Sequence, residues 1–471
     1  MSISPFPNEI AGLSKPTSVG RADSRLSLFS FILLTLAWLP FQNITVGIWI
    51  YAGLPLEIGG LLVWIKEIVL LGVFGLTLMS GAFRRWRKTE VLLLCFMAWV
   101  FLYLPIGALG LTARLAGMRM LLWPFLMYLL GRSIRIPPNG LRWIWNMLIY
   151  VFLLVVLFGF IEELFVPPVQ LASLQVATYL VKGQESVVSF GVDGLQGSFY
   201  SAIGSRFDVE NLIWFRRMVS TYLEPLALGH ALVLPIVFLF YAFAGPRPAL
   251  LRPRWLIGIL LSTFLLAQIL AASRGAILAT LIGIGIIIIV SSNKVRFRSI
   301  VVVGVALGIS LVFAPVRAFV MNTISLEDPS SGGHISQLEK GVDMIINQPM
   351  GFGLGNGGYV GSYFTGGAAQ GTGESFFFSI ASQVGLIGVG LFIFALTAIL
   401  LDLRRIWNKA DTLWLKVSAL VALGALLGYS VSAIASEAAF GLLASGAMWF
   451  MCGLVIQLGN RRGFVEYGIS N

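Results

Sequence analysis

The chain has 471 residues, 58% hydrophobic and 11% charged, with a mean hydropathy of +0.89. A soluble domain of that composition lacks the polar residues to cover its surface, and repeated apolar runs of about 18 residues or more mark membrane spans instead. The formal charge of +11 and pI near 9.8 do not point to nucleic acid, because the basic residues gather in short clusters between apolar runs.

In chain order, residues 1–25 read as a disordered cytoplasmic tail rich in Ser, Pro and Gly, with no cleavage site of a signal peptide after it. Residues 26–471 read as a single transmembrane domain, an all-α polytopic membrane protein of about twelve helices. The apolar runs place these at 26–43, 58–79, 90–110, 115–131, 142–162, 218–243, 255–272, 275–291, 299–318, 374–400, 412–433 and 438–458. Seven connections are basic: Arg21/Arg25, Arg84–Lys88, Arg132–Arg142, Arg247–Arg254, Lys294–Arg298, Arg404–Lys409 and Arg461/Arg462. All seven fall on one side when both termini are cytoplasmic, as the positive-inside rule requires. The other side then receives two long external loops, 163–217 and, between spans 9 and 10, 319–373. Cys95 and Cys452 lie within apolar runs and suggest neither a disulfide framework nor a metal site.

The long loops are rich in glycine, as in SFGVDGLQGSFYSAIGSRF and GFGLGNGGYVGSYFTGGAAQGTGE, which implies tight turns or close backbone approach. In ISQLEKGVDMIIN, apolar residues recur at helical spacing (Ile335, Leu338, Val342, Ile345, Ile346), predicting a short amphipathic helix on the membrane face. The run Gly353-Leu-Gly355-Asn-Gly357-Gly358 has no strand before it and is not a nucleotide loop.

Cations at the external border break the charge rule: Arg114 and Arg119, Arg216 and Arg217, Arg274 and Arg317. An arginine in or near hydrocarbon costs several kcal/mol unless it pairs or binds an anion. The acids at that border are Glu224, Glu374 and Glu437. Structural ion pairing or snorkelling accounts for Arg114, Arg119 and Arg317 as readily as substrate binding does, and less readily for Arg216, Arg217 and Arg274. Guanidinium groups bind phosphate bidentately, and a nearby carboxylate serves as general base toward a hydroxyl. Together they point to a lipid-borne diphosphate attacked by a hydroxyl. His230 and His334 are the chain's two histidines, and no acidic pair has ligand spacing, so no metal and no cofactor is expected.

Three stretches carry a family resemblance: FRRMVSTYLEPLALGH, SRGAILA, and NQPMGFGLGNGG followed by GESFFFSIASQVGLIG. In this order and topology the chain resembles the O-antigen ligase and O-antigen/exopolysaccharide polymerase superfamily of bacterial membrane glycosyltransferases. The ligases carry His where Glu374 stands, followed by Asn, Ser or Gln, nine residues, Gly, two residues and Gly. Here Glu374-Ser375, nine residues and Gly385-Leu-Ile-Gly388 keep that spacing.

The resemblance implies a C-type membrane-glycosyltransferase architecture and inverting, metal-independent transfer at the outer face of the bacterial inner membrane. The donor it implies would be a glycan on undecaprenyl diphosphate. Arg216 or Arg217, together with Arg274, would bind the diphosphate, Arg274 also acting in catalysis as the leaving group departs. Glu374 would be the catalytic base, and Arg114, Arg119 and His334 possible assisting residues. For His334 a plain loop position is an equal reading. Glu in place of His favours the polymerase branch, whose acceptor is a second lipid-linked repeat and whose further partner is a chain-length regulator. A ligase remains the alternative. A lipid-oligosaccharide flippase is a third reading, opposed by the absence of an internal repeat and by one very asymmetric loop.

Overall fold

The computed structural model describes residues 32–79, 87–134, 140–181, 199–203, 213–245, 253–312, 329–364 and 375–461, with isolated positions at 30, 136, 317, 321 and 325. Helices α1 (Gln42–Tyr51), α2 (Leu56–Met79), α3 (Lys88–Leu102), α4 (Leu111–Ser133), α5 (Gly140–Phe165) and α6 (Pro168–Val181) come first. A two-stranded antiparallel hairpin follows, β1 (Tyr200–Ile203) and β2 (Ile213–Arg216), with Tyr200 opposite Arg216. The second half holds α7 (Pro225–Ala231), α8 (Val233–Ala244), α9 (Arg254–Leu270), α10 (Arg274–Val290), α11 (Asn293–Val312), α12 (Pro329–Asn347), α13 (Gly358–Phe364), α14 (Phe376–Lys409), α15 (Leu413–Ser432) and α16 (Leu442–Arg461).

Among the described residues, seven helical stretches are long and apolar enough to cross a membrane, and α9 and α10 are shorter apolar helices. This supports an integral membrane protein, and it is fewer full-length spans than the twelve expected. Several differences have a local cause. The run expected at 218–243 keeps a full-length span but starts its α-helix only at Pro225, after a 3-10 turn at Ser220–Tyr222 and left-handed backbone angles at Ser220 and Leu223. The run at 90–110 stops at Leu102, before the turn that carries Gly107. The tight turn at 271–273 separates α9 from α10, and α9 begins after Pro253 at its N-cap, so each helix has 17 residues. The segment 163–217, expected as a loop, contains the end of α5, helix α6 and the hairpin.

Apolar burial does little to drive helices together in lipid, so close packing must do it. Two crossings show how. In α4 and α16, a Cβ on Gly131 would run into the Phe450 carbonyl, and one on Gly453 into that of Tyr128. In α10 and α15, a Cβ on Gly424 would lie 2.9 Å from the Gly283 oxygen, and one on Gly428 would meet Ala279. Backbones in contact leave no room for side chains at these four positions. An aromatic cluster joins α3, α4, α14 and α16, with Phe125 set 5.0 Å from Phe96, 5.2 Å from Phe392 and 5.7 Å from Trp449.

One end of the bundle gathers the turns at 103–110, 217–224, 271–273 and 433–441 with the start of α14, joined by hydrogen bonds such as Phe376 N–H to the Ala433 carbonyl. The opposite end carries an ionic knot of Arg132 with Glu90 (2.6 Å) and Arg87 with Asp402 (3.8 Å), all buried.

Candidate active site

The sequence motifs converge on the first of these ends. Helix α9 stops at Leu270, Ala272 takes φ 49°, and Ser273 stands in extended conformation at the N-cap, so that Arg274 is the first residue of α10. A guanidinium thus rides on the positive end of a helix dipole, a combination suited to an anion. The Ser273 hydroxyl makes no cap bond and is buried without a hydrogen-bond partner among the described residues.

The turn before Arg274 is also where Arg217 is held. Its Nε donates to the Ala271 carbonyl at 3.1 Å and Nη2 to that of Ala272 at 3.5 Å, while Met218 N–H donates to Leu270 O. Neighbouring residues of an extended strand point to opposite sides, and Arg216 turns the other way. It forms ion pairs with Glu163 (3.3 Å) and Glu162 (3.7 Å) and donates to both backbone carbonyls. The Glu162 carboxylate also accepts from the Val219 and Ser220 amides, which fixes the left-handed Ser220.

Beneath Arg274 lies a buried polar layer. A Cβ on Gly275 would stand 2.6 Å from Ser432 Oγ and 3.6 Å from His230 Nε2 and from Ser436 Cβ. Gln268 Nε2 donates to the Gly229 carbonyl and to Thr280 Oγ1, tying α9 to α7 and α10. Ser432 leads into Ala433, whose carbonyl accepts from Phe376 N–H at 3.0 Å and from Ser375 Oγ at 3.4 Å. Glu374 lies outside the described residues; its neighbour Ser375 is the N-cap of α14, accepting from Phe378 N–H.

The glycine-rich run is a buried plug. Helix α14 breaks at Gly385 (φ 72°, ψ −178°), which leaves its backbone groups open to other partners. Phe352 N–H donates to the Ser382 carbonyl, Leu386 N–H to Pro349 O, and Gly355 N–H to Gln383 Oε1. These bonds to protein partners are what allows irregular backbone to be buried here. Trp99 and Tyr103 pin both sides, donating to Val384 O and Met350 O. At the far end of the run the Glu437 carboxylate rests against the Cα of Gly358, where no Cβ would fit.

The remaining candidates stand apart. Arg114 donates to the Leu104 carbonyl at 3.0 Å, and Arg119 forms a 2.9 Å ion pair with Glu67 of α2. Five helical residues separate them by about 140° on α4, so they do not form one anion site. Arg119 faces away from the plug that docks at Ala113 and Gly117. His334 belongs to α12, which packs on α14 through Gly341 against Phe378 and leaves Ile335, Val342 and Ile346 exposed. The His334 side chain is outside the described residues.

Sequence reading left Glu162, Gln268, Gln383 and Ser432 without a role and used His230 only to discount a metal. The signal was available: polar side chains inside apolar runs are costly and mark function by default. Among the described residues no three His, Cys, Asp or Glu side chains gather as metal ligands.

Residues 257–393 match the family model described as O-antigen ligase, a stretch that includes Arg274, the glycine-rich plug and the Gly385 break. The match supports the O-antigen ligase/polymerase superfamily, whose members are glycosyltransferase-like enzymes, and does not separate the two branches. No curated protein matches the chain.

Proposed function

Starting from a region of the O-antigen ligase/polymerase superfamily set in a helical membrane protein, we propose that the chain joins undecaprenyl-diphosphate-linked oligosaccharide repeats into a surface polysaccharide. The observation that carries this reading is the attachment of Arg217 to the turn that launches Arg274, which puts two arginines beside the positive end of α10. Their guanidiniums would hold the donor diphosphate and stabilise the charge that develops as it leaves. The acceptor hydroxyl oxygen attacks the anomeric carbon as the bond to the diphosphate oxygen breaks, and Glu374 takes the hydroxyl proton. Inversion follows from a single displacement. The site would face the periplasm, with both termini in the cytoplasm and a chain-length regulator alongside.

The test supplies purified protein with a lipid-diphosphate-linked repeat in the presence of chelator and follows products on a gel. A ladder of growing chains is expected. Glu374→Gln should slow growth by about 100-fold, and Arg274→Ala should weaken donor use. Undiminished growth in both variants would overturn these roles. Transfer of one intact glycan to a different acceptor, without a ladder, would favour the ligase alternative, to which the matched family's description also points.

A further inference from the structure

We infer that His230 is a positioning residue of this site, setting the α15–α16 turn against which Arg274 and the start of α14 are both aligned. The inference rests on the glycosyl-transfer reading above. His230 is wholly buried in α7. Its Nδ1 lies 2.8 Å from the Leu226 carbonyl oxygen, an acceptor only, so Nδ1 carries the proton. Nε2, 2.8 Å from Ser432 Oγ, is then the acceptor of the serine hydroxyl. The tautomer is therefore dictated by the partners, and the serine is held in one rotamer.

Ser432 is the last residue of α15 and stands at the meeting point of the motifs. On one side its Oγ abuts Gly275, the residue after Arg274, where a Cβ would come within 2.6 Å. On the other, the next residue offers the carbonyl that takes Phe376 N–H and Ser375 Oγ, fixing the chain immediately after Glu374. Four residues on, Glu437 meets Gly358 at the end of the glycine plug. A second bond strengthens the anchor: Tyr429 Oη donates to the backbone carbonyl of His230 itself. The imidazole thus reaches the chemistry only through Ser432, and its work is to keep base and diphosphate arginines in register.

The test compares three variants in detergent. In His230→Gln the side-chain oxygen can replace Nε2 as acceptor for Ser432; in His230→Asn the amide keeps the Leu226 bond and cannot reach the serine; Ser432→Ala removes the donor. With a lipid-diphosphate-linked repeat as substrate, kcat should fall about tenfold in His230→Asn and Ser432→Ala, with no further loss in the double variant. His230→Gln should recover most of the rate. Affinity for undecaprenyl diphosphate alone should fall less than kcat does, since the bonds that hold Arg217 to Ala271 and Ala272 are untouched. Amide hydrogen exchange in the segment starting at Phe376 should quicken in Asn and Ala variants and not in Gln. If Gln is as slow as Asn, or if losses add, His230 is only a packed core residue. If the wild type makes no product at all, the glycosyl-transfer reading fails, while the exchange pattern still decides whether His230 holds the start of α14.

Discussion

At the scale of single residues, the pair Arg216–Arg217 shows how one step along an extended chain separates two tasks. Arg216 is neutralised by Glu162 and Glu163, and the Glu162 side chain is fully buried. Removing one partner of a buried pair strands the other charge, at a cost of about 3–5 kcal/mol. Arg216→Ala should therefore lower the melting temperature in detergent while the folded fraction still binds undecaprenyl diphosphate. Arg217→Ala should do the reverse, weakening that binding at least tenfold, the worth of a charged hydrogen bond, with a smaller effect on melting. Equal losses of binding in both variants would remove the distinction. The sequence carried the doublet RR and the rule of strand alternation, yet not the acids at 162 and 163, because Glu162 closes an apolar run more than 50 residues upstream. Which arginine of the pair is spent on structure is a tertiary fact.

Among elements, the spacing Ser375, Gly385, Gly388 was legible as a family mark, and the fold gives its mechanics. Ser375 caps α14, Gly385 breaks it, and Gly388 clears space beside Trp99. The Gly385 conformation lies in a region that is essentially glycine-only, and a Cβ there would stand 2.7 Å from the Pro349 carbonyl oxygen. Gly385→Ala should destabilise by more than the roughly 1–3 kcal/mol of such strain, because the plug at 349–355 must also shift. Hydrogen exchange should rise first in residues 348–358, ahead of the lower half of α14. Unchanged protection of the plug would show that the break is not what seats it. Glycine density in the sequence correctly signalled close backbone approach, but the period-3.6 pattern of α14 passes through Gly385 without a mark. A helix break made by a docking loop has no signature in the helix alone.

The whole molecule poses the question of orientation, and the charge distribution gives it a physical form. Among the described residues, basic side chains of these connections such as Arg87, Arg132 and Arg405 lie at the end away from the candidate site, yet part of that charge is internally balanced: Arg132 pairs with Glu90, and Arg87 and Arg405 with Asp402. A net-charge argument would discount these arginines. The positive-inside rule counts Lys and Arg near span ends and gives acids little weight, so they keep their vote. On the proposed reading the candidate site would face outward, where a lipid-linked repeat would be presented after crossing the membrane. Glu339 on α12 and Arg405 on α14 are both exposed and stand toward opposite ends of the bundle. In a cysteine-free background, Glu339→Cys should react with an impermeant maleimide in intact cells, and Arg405→Cys only after the membrane is opened. Labelling of residue 405 alone in intact cells would turn the protein over and put the arginines of the site on the cytoplasmic side, where a donor assembled on the inner leaflet would be met before export.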